Sequence, residues 1–319
     1  MALKMNKKQP KGFTLVELMI VLVILGIVTI GAMTAIISQS RVYHSEENII
    51  DMQMNARVAM DRICFLLRMA GVGCEDNFGD NLTNGSLVTN GDVAANPLSS
   101  MFTITNNAPS TPDQLTLVGA VRHVGSITSI PANNQIKVGS HDPKLGTTVA
   151  KSYIFISPSD ENRYEIISAD DGTTLTLATS LDNDRKTEIL NALSAGVDLD
   201  VYQVQAFTLR LVNNSLRIDG NIDGSSTQLD VADNIQDLQF QYGLDTDNDG
   251  QVDSWFDNPA TISQIKAVRV YILARTGKMD KEYFDRKTYT LAGVTVGPFN
   301  DHVHRYLLES TIVVRNRNL

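Results

Sequence analysis

Lys11-Gly12-Phe13-Thr14-Leu15-Val16-Glu17 leads into residues 18–37, a twenty-residue stretch without a single charge. At about 1.5 Å per helical residue, that length matches the roughly 30 Å hydrocarbon core of a bilayer. One carboxylate, Glu17, stands at the apolar edge. Lys4, Lys7, Lys8 and Lys11 all precede it and have the sign expected on the cytoplasmic side. A secretory signal places its small-residue cleavage site after the apolar segment. Here the small residue, Gly12, comes before it. A cut after Gly12 leaves the apolar helix on the mature chain, with Phe13 as the new terminus.

Gly12, Phe13, Thr14, Leu15, Glu17 and the following apolar run together resemble the class III signal of type IV pilins and of the pseudopilins of type II secretion. The resemblance implies a membrane prepilin peptidase that cuts after Gly12 and N-methylates Phe13. It also implies that Glu17 serves assembly by pairing with the freed amine of a pilin. The helix-bending proline common in that family is missing, so any local melting is expected at Gly26 or Gly31.

The helical pattern continues beyond the apolar run. Ile49, Met52, Ala56, Ala59, Ile63, Leu66 and Ala70 recur every three or four residues and make one apolar stripe. Gly71 and Gly73 supply the stop signal. One helix is expected from about residue 13 to 70, roughly 85 Å long. Residues 13–40 would form its transmembrane half and 41–73 its amphipathic half, packed on a sheet, with residues 1–12 as the leader. Residues 74–112 are rich in Asn, Gly, Asp, Ser and Thr and read as a long loop. From 113 to 319 the pattern is β. Strands are expected at 114–120, 135–138, 152–157, 164–168, 173–178, 201–212, 215–219, 235–242, 264–274 and 305–315, separated by turn signals such as Asp170-Asp171-Gly172. The expected class is therefore α+β: a long N-terminal helix packed on an antiparallel β-rich domain.

Formal charge is −9, and loss of residues 1–12 leaves 23 basic and 36 acidic groups, a net −13. So acidic a chain is a poor nucleic-acid binder, because phosphate contacts need clustered Lys and Arg. The two cysteines, Cys64 and Cys74, read as a short-range disulfide in an oxidising compartment, with two free thiols as the alternative.

The tail narrows the resemblance. Leu238-Gln239-Phe240-Gln241-Tyr242-Gly243, Ala267-Val268-Arg269-Val270-Tyr271-Ile272-Leu273-Ala274-Arg275 and Thr311-Ile312-Val313-Val314-Arg315-Asn316 are similar, in that order, to the PilW-like minor pilins. That similarity implies a tip-located pilus component that primes fibre assembly for adhesion or twitching. Its implied partners are other minor pilins, the major pilin, a tip adhesin, the prepilin peptidase and the inner-membrane assembly platform. The implied location is the bacterial inner membrane, with the N-terminus cytoplasmic and the ectodomain periplasmic, and then the pilus tip. A J-type pseudopilin of type II secretion, or a surface-binding module, is the alternative.

One constellation suggests a cofactor. Asp245, Asp247, Asp249 and Asp253 occupy positions 1, 3, 5 and 9 of a calcium-loop pattern, with Gly250 at 6 and the Gln251 carbonyl at 7. Phe256 stands at position 12, where a bidentate glutamate is usual, so Asp257 or water would have to complete the shell. Ca2+ of modest affinity is the expectation, and a solvated Asp-Gly turn is the alternative. His302 and His304 would share a face of a strand, but no cysteine nearby completes a metal site, and they read as surface residues. No nucleophile elbow, zinc-protease helix or phosphate loop occurs, so no enzyme activity is expected.

Overall fold

The computed structural model describes residues 14–71, 102–107, 111–141, 152–158, 164–222 and 225–314. It divides into two units, residues 1–50 and 51–319. The helix α1, Leu15–Met69, begins in the first unit and ends in the second.

In the first unit every described residue from 14 to 44 is exposed. That is an unsustainable surface in water, since an apolar helix wants either lipid or other helices around it. The two hydroxyls of the charge-free run, Thr29 and Thr34, are satisfied within the helix. The Thr29 hydroxyl donates to the Leu25 carbonyl at 2.7 Å and that of Thr34 to the Ile30 carbonyl at 2.9 Å, as an apolar medium demands. α1 runs unbroken through Gly26 and Gly31.

The second unit starts with the amphipathic half of α1, which buries Met52, Ala56, Ala59, Met60, Ile63, Cys64, Leu66 and Leu67, the expected stripe and its immediate neighbours. The helix ends at Gly71, whose φ of 84° suits glycine and closes the last turn. The Gly71 amide donates to the Val118 carbonyl at 2.9 Å. A Cβ on Gly119 would lie 2.3 Å from the Met69 carbonyl oxygen. Only glycine lets the helix end come this close to the sheet.

That sheet has nine strands, all paired antiparallel: β1 (Phe102–Thr105), β2 (Gln114–Ala132), β3 (Gln135–Val138), β4 (Ser152–Ser157), β5 (Tyr164–Asp170), β6 (Thr174–Leu177), β7 (Asp200–Val212), β8 (Ser215–Ile222) and β9 (Ser225–Ala232). Its order is β1-β2-β3-β6-β5-β4-β7-β8-β9, and β2 also pairs with β7. β2 is long enough to serve two partners: residues from Leu115 to Ser126 face β7, and residues from Ile127 to Ala132 face β3. The ring β2-β3-β6-β5-β4-β7 therefore closes on itself, which removes sheet edges. Val124, Ile136, Ile154, Ile156, Ile167, Leu175 and Val201 fill it. The helix α2, Asn183–Ser194, adds Ile189 to this core. Asp182 caps it by accepting from the Arg185 amide at 2.7 Å.

Sequence periodicity pointed to neither the closure nor α2. It ended β2 at residue 120, twelve residues short, and omitted β9. β1 falls inside the 74–112 stretch, pairing Phe102 with Leu117. A second sheet follows, β10 (Ile235–Leu244), β11 (Ser254–Phe256), β12 (Ile265–Arg275) and β15 (Arg305–Val313), in the order β11-β10-β12-β15. Between β12 and β15 lies a small hairpin, β13 (Tyr289–Leu291) and β14 (Val294–Val296). The architecture is α+β, as expected.

Asp113, just before β2, ties the two sheets together. It is 4% exposed. Its Oδ1 accepts from the Asn107 amide at 3.0 Å and its Oδ2 from the Phe240 amide on β10 at 3.1 Å. Burial nevertheless lifts its carboxyl to about 6, with Asp237 and Asp257 adding repulsion against the two amide bonds.

Two outcomes are expected. Gly119→Ala forces a methyl group against backbone and should destabilise the ectodomain by about 1–3 kcal/mol, lowering its Tm by roughly 2–10 °C in a thermal melt. Asp113 has a raised folded-state pKa, so its contribution to stability is full below its unfolded pKa near 3.8 and is lost as pH rises through about 6. The 13C resonance of its carboxyl should titrate near pH 6, and a midpoint near 4 would refute its burial.

Candidate functional site

Of the residues expected to be cut and methylated, Gly12 and Phe13 lie outside the described residues, and Glu17 lies inside them. Glu17 closes a capping box. Its amide donates to the Thr14 hydroxyl oxygen at 3.2 Å, and its Oε2 accepts from the Thr14 amide at 3.1 Å and from the Thr14 hydroxyl at 3.1 Å. Two orphan amides of the first helical turn are thereby satisfied, and the carboxylate sits where the helix dipole favours negative charge. Thr14 went unremarked as a partner in the sequence reading, although Thr-x-x-Glu is a legible cap signal.

Cys64 is buried on α1. Burial pushes its thiol up, and a hydrogen bond with Ser310 of β15 opposes the rise. Cys74 lies outside the described residues, so the expected bridge does too.

The aspartate loop joins β10 to β11. The sequence placed it between β10 and β12, because the three-residue β11 was too short to notice. β11 pairs Tyr242 with Phe256, Gly243 with Trp255 and Leu244 with Ser254. Two backbone bonds pin the loop's ends, from the Asp245 amide to the Gln264 carbonyl at 2.9 Å and from the Asp253 amide to the Leu244 carbonyl at 2.8 Å. Between them Asn248 and Gly250 adopt positive φ, 62° and 88°, which makes a sharp bend.

Three of the five expected ligand residues converge. One carboxylate oxygen from each of Asp245, Asp247 and Asp253 lies within 4.8 Å of the others. Asp249 does not join this group of carboxylates. Asp249 Oδ1 instead accepts from the Gln251 amide at 2.7 Å. Asp257, offered as a replacement ligand, accepts from the Gln241 side chain at 2.9 Å.

Asp245 is the deepest of the three, at 1% exposure. Its Oδ2 accepts from the Gly250 amide at 3.0 Å and lies 3.6 Å from the Lys266 ammonium. Its Oδ1 is buried with no donor among the described residues. The Thr246 hydroxyl and then its amide hold the Asp253 carboxyl below the usual carboxylate range, so it stays charged. Two unit charges 4.8 Å apart repel by about 1 kcal/mol in bulk water and by about 3 kcal/mol at an effective dielectric of 20. Lys266 offsets only part of this. The arrangement can hold a hard cation with oxygen ligands, and the cluster contains no His or Cys that would favour zinc.

His302 and His304 differ from expectation. They precede β15 rather than lying on a strand, and both are half-buried. His304 Nε2 bonds Asp280 Oδ2 at 3.0 Å, and its ring stacks on Tyr283 at 3.7 Å. His302 Nδ1 bonds the Tyr283 carbonyl. They belong to a structural network around Arg305, which reaches Asp285 at 2.9 Å, Asp301 at 2.7 Å and Gln236 at 2.7 Å, and lies 3.7 Å over the Phe299 ring.

Two family models match the chain. The prokaryotic N-terminal methylation motif covers residues 7–33, and type IV pilus-assembly protein W covers residues 201–316. No curated protein and no solved structure matches. The second of these models describes a type IV pilus-assembly protein, and the apolar helix is long enough to cross a membrane by length and composition. With the methylation motif on the start of α1 and the assembly-protein model on β7 to β15, the chain matches the PilW-like minor pilins of the type IV pilus family.

Proposed function

We propose that this chain is a minor pilin held in the inner membrane with its N-terminus cytoplasmic and its ectodomain periplasmic, cut after Gly12, methylated on Phe13 and inserted at the fibre tip. There it primes assembly with other minor pilins, the major pilin and a tip adhesin, through the prepilin peptidase and the inner-membrane platform. One observation supports this most strongly. The methylation motif falls on a helix whose first thirty residues are exposed and include the charge-free run 18–37. Such a surface must be covered by lipid before assembly and by neighbouring helices afterwards. The match over 201–316 favours a pilus role over a secretion pseudopilin.

Glu17 is the one acidic group in this apolar setting. A carboxylate at the bilayer centre costs about 3 kcal/mol even on lenient scales, and less near an end. The Thr14 cap meets part of that cost within the chain. A pilin N-terminal amine would meet the rest, and the need for it would draw the subunit into register.

Gly12→Val should leave the four-lysine leader attached, as read by mass spectrometry of the membrane fraction. A mature terminus at Phe13 in that variant would refute the cut. Glu17→Val should be processed and inserted normally, yet fall at least tenfold in sheared fibres by immunoblot. Wild-type incorporation would remove the assembly role. Deletion of the chain should reduce surface pili by electron microscopy. Intact pili with lost secretion would instead favour the type II pseudopilin reading.

A further inference from the structure

We propose that the β10–β11 loop binds one calcium ion through Asp245, Asp247 and Asp253, and that the ion holds β11, and with it Trp255, on the edge of the second sheet. Three observations converge on this. The three carboxylates share one small space. Asp245 is buried and divides its work: Oδ2 serves the Gly250 amide while Oδ1 has no donor among the described residues. A buried carboxylate oxygen with no donor is costly unless a cation takes it up. Lys266, at 3.6 Å from Oδ2, is one positive charge against three negative ones.

The chemistry selects the ion. Carboxylate oxygens alone suit a hard cation, and calcium tolerates the irregular shell that three carboxylates, backbone carbonyls and water would make. Magnesium demands near-ideal octahedral geometry and gives up its own water reluctantly, so an incomplete flexible loop serves it poorly. With Phe256 at the position where a bidentate glutamate is usual, affinity should fall in the range of roughly 10⁻⁴–10⁻³ M.

The consequence reaches beyond the loop. β11 is three residues long and pairs only with β10. A strand that short has little stability of its own. It follows Asp253 directly, so whatever fixes Asp253 fixes Trp255. The indole ring sits under the Arg269 guanidinium of β12, 4.0 Å from its centroid, and Arg269 also meets Glu309 of β15 at 3.4 Å. A Cβ on Gly243 would strike Val252 at 2.7 Å and the Trp255 ring at 3.1 Å. The loop, the strand and the aromatic stack therefore form one packed unit. Calcium would set the order of a surface that carries the chain's single tryptophan.

The test uses the full-length protein in detergent, freed of metal with EDTA and dialysed. Calcium chloride should change the Trp255 fluorescence with a midpoint between about 0.1 and 1 mM, release or absorb heat with a stoichiometry near one, and raise Tm by about 5–10 °C at saturation. Magnesium at the same concentrations should bind at least tenfold more weakly. Asp247→Ala removes an exposed carboxylate and should abolish all three responses, with circular dichroism confirming an unchanged fold. Asp249→Ala, outside the three-oxygen cluster, should keep the calcium midpoint within about threefold. No heat and no fluorescence change at 10 mM calcium would overturn the site. Equal magnesium binding would overturn the assignment to calcium. Loss of binding in Asp249→Ala as complete as in Asp247→Ala would overturn the three-carboxylate ligand set. None of these outcomes bears on whether the chain enters pili, so this proposal and the assembly role fail independently.

Discussion

The end of α1 touches the first sheet at Gly119, and the second unit is organised around that contact. The Met69 carbonyl lies where a Cβ would otherwise be, and the Gly71 amide bonds the Val118 carbonyl at 2.9 Å. Small residues, Ala56, Ala59 and Ala70, are fully buried on the same helix face. Close approach increases the dispersion contacts of each buried side chain and leaves little room for rearrangement. It also fixes β2, which pairs with β1, β3 and β7.

β2 can play this part because it is nineteen residues long and changes partner midway. Its first part builds a sheet with β1 and β7, and its last part turns into the closed ring with β3. β7 does the same in mirror fashion, serving β4, β2 and β8. The ring is thus an excursion of two long strands rather than a separate body joined by a linker. Its interior is aliphatic and filled, so any recognition by this part must come from its surface. The second sheet is anchored differently. Asp113 accepts from the Phe240 amide of β10, and Arg305 ties Asp285 and Asp301, in the segment between β12 and β15, to Gln236 of β10.

Carboxylates recur at the places where this chain is under most electrostatic demand, and their partners distinguish them. Glu17 is met by the cap it forms with Thr14. Asp285, fully buried, is met by Arg305 and by the Tyr289 hydroxyl. Asp113 is met by two amides, which are neutral and do not offset its burial, so its carboxyl rises to about 6. Asp245 is met on one oxygen only. A charged partner, a cap and a pair of amides are three grades of compensation, and the second oxygen of Asp245 has none of them among the described residues.

The sequence by itself determined the helix, its division into a lipid-compatible half and an amphipathic half, the position of Glu17 at the boundary, and the strands that became β10, β12 and β15. All of these are local: a charge-free run, a three-to-four-residue period, an alternation long enough to register. The spacing of the aspartates was equally local and legible. Which aspartates meet was decided only by the bend at Asn248 and Gly250, which brings Asp253 to Asp245 and leaves Asp249 bonding its own loop. The closure of β2 on β7 was likewise invisible, because the partners are far apart in sequence: the hydroxyls of Thr116 and Thr208 bond across 92 residues at 2.9 Å. α2 escaped notice because it buries little besides Ile189 and Arg185, too short a stripe for periodicity to register. Periodicity reports which face of an element is buried. Only the folded chain decides which other element buries it.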